Sequence, residues 1–204
     1  MKLLLLNTLL FIALGSQVTS AGVLIGFDSL EAPGTSFSVF PNPLEIGGFR
    51  FAAVDGFNGV PGSFQQSSTF YNGSAALTAT NSSNLLMTQI NGATFSVASL
   101  DVDRLFSGAS FEFIGEFAGG GTVIQTHTPD PFVPNSAVGN ETVTLLGFEN
   151  IVSLTLGAVG GQNFSNTGSV DNIQISAATV PEPYSMSAWM LATVIGLNRR
   201  RKRR

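Results

Sequence analysis

Ser110-Phe111-Glu112-Phe113-Ile114-Gly115-Glu116-Phe117 puts Phe111, Phe113 and Phe117 on one parity and both glutamates on the other. Successive side chains of an extended chain point to opposite faces, so this alternation predicts a strand with one buried face and one wet face. Val143 with Leu145, and Val152 with Leu154 and Leu156, repeat the pattern. Ten short runs rich in Val, Ile, Phe, Leu and Thr stand at 23–27, 49–54, 75–80, 85–90, 94–102, 110–117, 122–127, 142–148, 151–156 and 170–175, separated by Gly, Asn, Ser and Pro clusters. Within 94–102 the phase changes, since Phe95 and Val97 are odd while Leu100 and Val102 are even, which predicts a bulge near Ala98 or Ser99. Helix signals are nearly absent between the strands.

Many short strands with Gly-rich turns and no interleaved helices predict an all-β fold, two packed antiparallel sheets in a β-sandwich of jelly-roll type. An immunoglobulin domain would show a core Trp and a disulfide pair. Here the single Trp, Trp189, lies far down the chain, and there is no cysteine. The stretches 57–73 and 157–168, rich in Gly, Ser, Asn and Gln, read as surface loops within one domain spanning 22–179.

Both ends of the chain read as addresses, each with a short helix expected. Met1-Lys2, an apolar core at 3–14 and a small, polar region at 15–21 have the order of an export signal, with cleavage expected after Ser20 or Ala21. At the other end, in 180–204, Pro181-Glu182-Pro183 precedes an apolar run at 184–198 and the cluster Arg199-Arg200-Arg201-Lys202-Arg203-Arg204. Prolines stop a preceding strand, an apolar run can enter a bilayer, and adjacent cations hold the terminus on the cytoplasmic side. The run has fifteen residues, interrupted by Ser185, Ser187 and Thr193. A comfortable span takes about twenty, so it suits a transient signal better than a lasting anchor. This tail resembles the PEP-CTERM sorting signal of bacterial exported proteins. That resemblance implies export by the Sec machinery, a transient stay in the inner membrane, removal of the tail by an exosortase, and delivery to the cell surface or extracellular matrix.

Without these ends the body keeps only Arg50 and Arg104 against twelve acidic residues, a net charge of −10 that the whole-chain value of −4 conceals. Such a surface repels phosphate backbones and excludes the basic footprint of a nucleic-acid binder. The missing cysteines also exclude thiolate metal sites and cysteine nucleophiles, and leave stability to the apolar core.

Gly26-Phe27-Asp28 near the start of the body and Val170-Asp171-Asn172-Ile173 near its end resemble the first and last strands of carbohydrate-binding-module jelly rolls. That resemblance implies that these strands lie side by side, with a structural Ca2+ held between Asp28 and Asp171. Asp171 shares parity with Ile173 and Ile175, so a plain strand would turn its carboxylate inward, where a cation would relieve the cost of an unpaired charge. A second reading stays open, with Asp171 in a turn before the strand, capping backbone amides. Sugar stacking would fall to Tyr71, on the turn Phe70-Tyr71-Asn72-Gly73, or Tyr71 packs against that turn.

Catalysis has little to stand on. His127 is the only histidine, reads as a surface or turn residue, and has no Gly-x-Ser-x-Gly elbow to serve. Glu112 and Glu116 stand roughly 13 Å apart by strand rise, beyond the about 5 to 9.5 Å of a glycosidase pair. Asp101 and Asp103, roughly 6.6 Å apart, read as a solvated strand end. The expected function is that of an exported, noncatalytic protein of the cell surface or extracellular matrix. The rival is a calcium-dependent, lectin-like module for extracellular polysaccharide, with a glycoside-active enzyme behind it.

Overall fold

The computed structural model describes residues 22–176 apart from 69, 70, 72, 82, 105–109, 131–139, 162, 163 and 165–167. The expected export signal at 1–21 and sorting tail at 180–204, with the helices expected in them, lie outside the described residues. Among the described residues no helix is long and apolar enough to cross a membrane.

The chain from Ala21–Ala177 forms one compact unit. Its strands are β1 (Val23–Ile25), β2 (Phe37–Val39), β3 (Leu44–Ile46), β4 (Phe49–Val54), β5 (Pro61–Phe64), β6 (Ala76–Ala79), β7 (Asn84–Gln89), β8 (Ser96–Arg104), β9 (Phe111–Phe117), β10 (Thr122–His127), β11 (Asn140–Thr144), β12 (Ile151–Ala158) and β13 (Gly168–Ser176). One sheet runs β11-β8-β13-β6-β5-β2, with β1 also on β13; the other runs β10-β9-β12-β7-β4-β3. Every pairing is antiparallel. The two sheets pack as a β-sandwich, as the alternation predicts.

β1 and β13 lie side by side, with Val23 opposite Ile175 and Ile25 opposite Ile173. Between the sheets, Phe27 meets Phe51 edge-on at 5.4 Å, Phe49 meets Phe95 at 5.2 Å, and Phe111 meets Phe164 at 5.8 Å. Phe111, Phe113, Leu100, Leu154 and Leu156 are fully buried. Edge-to-face rings add about 0.5–1.5 kcal/mol per pair to the burial itself, so this phenylalanine layer stabilises the sandwich in place of disulfides.

All ten predicted runs contain strands, but three strands escape the alternation. β2 and β3 have three residues each, and β5 opens Pro61-Gly62, two residue types depleted from strands. The stretch 57–73 is therefore not wholly a surface loop, since β5 and the buried Gln65 lie inside it. In 157–168, Gly157 and Ala158 close β12, and Phe164 is buried. The expected bulge falls at Ala98: Gln174 pairs with Ser99 and Ile175 with Val97, leaving Ala98 unmatched. A further bulge corrects the parity of β12. The register with β9 shifts between Ile151 and Ser153, so Ile151 is buried and Val152 only half so.

Candidate functional site

The acidic residues converge on β8 and β13, on the face of their sheet turned away from the core. Leu100, Val102 and Val170 point into the sandwich and are fully buried, so their neighbours Asp101, Asp103, Ser169 and Asp171 project from the other face. Register places Asp171 beside Asp101, and Ser169 beside Asp103. Thr78, next on β6 to the Leu77 that pairs with Val170, continues the second row and donates to the Gly168 carbonyl at 2.8 Å.

This corrects the inward direction expected of Asp171. Between Asp171 and Gln174 the register slips by one residue, and Asn172 takes up φ 48°. The bulge restores Ile173 and Ile175 to the core while leaving Asp171 on the outer face. Asp103 is likewise no solvated strand end. Asp103 and Asp171 are each 2% exposed, Thr78 2% and Ser169 1%, so the outer face is covered at its centre.

The hydrogen bonds say how Asp171 is held. Ser74 Oγ donates to Oδ2 at 2.5 Å and the Asn172 amide to Oδ1 at 2.8 Å. The Phe27 amide bonds the same carboxylate. Asp171 therefore does cap backbone amides, as the second reading had it, but from within β13. Asp101 accepts from Thr142 Oγ1 at 2.6 Å and from Asn172 Nδ2 at 2.9 Å.

Burial pushes Asp103 up to about 7, with the charges of Asp171 and Asp101 adding to it. Burial also raises Asp171, and the bonds from Ser74, Asn172 and Phe27 oppose the rise while the charge of Asp28 adds to it. Asp28 is thus brought within electrostatic range of Asp171. It sits exposed in a single 3-10 turn, Asp28–Leu30, rather than in β1.

Among the described residues no group of three or more His, Asp or Glu side chains converges closely enough to hold a metal ion. What the outer face offers is two buried carboxylates and hydroxyl oxygens, a donor set that suits a hard cation such as Ca2+ rather than a thiophilic or imidazole-seeking metal.

The other predicted residues stand apart from this cluster. Tyr71 is half-buried and donates its hydroxyl to Glu31 Oε1 at 2.6 Å. That bond, then burial and the charges of Glu31 and Asp28, push its phenol up to about 12. His127 ends β10 and meets Glu141 Oε2 at 2.8 Å, while Glu141 Oε1 accepts the Asp130 amide at 2.5 Å. Glu116 accepts from Ser153 Oγ at 3.0 Å on the outer face of the second sheet. Pro181, Glu182, Pro183 and the cluster Arg199 to Arg204 lie outside the described residues.

Sequence reasoning passed over Ser74, Thr78 and Ser169. The opposite parity of Asp101 and Asp103 to Leu100 and Val102 was a usable signal for one outer face. Nothing local to Ser169 announces that the face is covered. No family model matches the chain, and none of the curated proteins does.

Proposed function

We propose that this chain is an exported, noncatalytic jelly-roll protein of the cell surface or extracellular matrix, sorted and cleaved by an exosortase at its C-terminal tail. The observation that carries the reading is the sequence order Pro181-Glu182-Pro183, apolar run, Arg199 to Arg204, at the far end of a chain that begins with an export signal.

Strand order supports the jelly-roll part. Counted from β6 to β13 as eight strands, one sheet reads 1-8-3-6 and the other 2-7-4-5. This is the interleaving of two Greek keys wound together, with β5 and β2 extending one sheet beyond β6, β4 and β3 extending the other beyond β7, and β1 set beside β13. The noncatalytic part is supported by how the polar groups are used. His127, Glu141, Tyr71 and Glu31 hold strands and turns to one another, and Asp101 ties β8 to β11 and β13.

The test is cell fractionation of the full-length chain beside a variant lacking 199–204. The full chain is expected in the surface or matrix fraction and the truncated one in another fraction. Equal distribution of the two would contradict sorting by the tail. A glycan array with Ca2+ and with EDTA separates the rival: saturable, Ca2+-dependent binding to a defined sugar would make the protein a lectin.

A further inference from the structure

We propose that Asp103 and Asp171, with the Ser169 hydroxyl, form a seat for a divalent cation of the Ca2+ class on the covered outer face of the β8–β13 pair. The proposal goes beyond the surface-protein reading and does not depend on it. It also differs from an ion between Asp28 and Asp171, because its centre is one register row further along β8 and β13, at the Asp103–Ser169 pair.

Asp103 and Asp171 are diagonal neighbours on adjacent strands and point from the same face. Such diagonal side chains start about 7–8 Å apart, which lets two carboxylates close on one ion whose oxygens lie at about 2.3–2.6 Å. Both are 2% exposed, and two like charges so placed each raise the cost of ionising the other. Two positive charges at one point neutralise both.

Ser169 supplies the independent sign. Its side chain is 1% exposed, lies beside Asp103 in register, and its Oγ has no hydrogen-bond partner. A buried hydroxyl ordinarily finds a partner, because leaving it dry is costly. Thr78, its neighbour on β6, is spent on the Gly168 carbonyl. Ser74 and two backbone amides orient Asp171 from one side, as hydrogen-bond donors behind a ligating carboxylate do, and leave it a lone pair for an ion. The oxygens on offer are carboxylate and hydroxyl, without nitrogen or sulfur, which favours Ca2+ over zinc or copper. Mg2+ is less suited to a site built on one side by a sheet, since it demands near-octahedral geometry.

Thermal unfolding of the full-length chain in EDTA, in 5 mM CaCl2 and in 5 mM MgCl2 tests this. Wild type is expected to gain about 5 °C or more in Tm with CaCl2 and less with MgCl2. Asp103→Asn is expected to fold, since it removes a buried charge, and to lose the gain. Ser169→Ala should lower Ca2+ affinity about tenfold in calorimetric titration, and Asp28→Asn should keep the gain. No gain in wild type would overturn the proposal, as would a gain that survives Asp103→Asn. A gain lost in Asp28→Asn but kept in Asp103→Asn would overturn it too, by placing the ion between Asp28 and Asp171.

Discussion

Asp103 shows how a single side chain can set the pH response of a fold. Its folded pKa is raised from 3.8 to about 7 by burial and by Asp171 and Asp101, so between these values the folded state holds a proton that the unfolded chain has released. Stability from this group is therefore present at the acid end and lost as pH rises through about 7, with a slope of at most about 1.4 kcal/mol per pH unit. Urea unfolding in EDTA from pH 4 to pH 8 should show that decline in wild type and a flatter profile in Asp103→Asn. Beside it, Gly168 is a position where no side chain fits. A Cβ there would lie 1.9 Å from the Asp103 carbonyl oxygen and 2.5 Å from the Phe111 ring. Backbone cannot yield as a flexible side chain can. Gly168→Ala should cost about 3 kcal/mol, the upper end of the overpacking range, seen as a lower urea midpoint with an unchanged slope.

Between elements, the edge strands β10 and β11 belong to different sheets, yet side chains join them. Gln125 donates to the Thr144 carbonyl at 2.8 Å and accepts the Leu146 amide at 3.0 Å, and His127 meets Glu141 at 2.8 Å. One amide side chain thus imitates a rung of backbone pairing and shields two edges that would otherwise stand open. Gln125→Ala should cost about 1 kcal/mol, since water can reach the exposed groups it leaves, and should speed hydrogen exchange at the Leu146 amide. An unchanged exchange rate would show that this bridge does not close the edge.

The same scale explains what was legible. Phe111 and Phe113 advertised β9 because one face is dry and the other wet, and the phase change at Phe95 to Val102 advertised the bulge at Ala98. Parity failed at Val152 and at Asp171, where a residue outside the ladder reverses the faces, and a bulge can hide in a run whose apolar residues are continuous, as in Ile151-Val152. β5 was hidden by Pro61 and Gly62, whose lack of strand propensity is overridden by pairing with β6 and β2. The acidic row was half legible. Which residues share a face follows from spacing, but the burial of that face rests on contacts distant in sequence, as between Ser74 and Asp171, which spacing does not reveal.

For the whole molecule, the unequal distribution of charge carries the argument. Seven of nine basic residues stand in the two end segments, and the body between them keeps twelve of thirteen acidic ones. A chain stripped of both ends would be strongly acidic and stay dispersed by its own charge, and the proposed sorting reading assigns the basic terminus to a membrane step. The measurement that tests this most directly is the intact mass of the protein recovered from the cell surface or the surrounding matrix. A mass that starts at Ala21 or Gly22 and lacks Arg199 to Arg204 is the predicted result. A chain that still carries those six residues would contradict processing at the tail, and one that still carries Met1 would contradict the export signal.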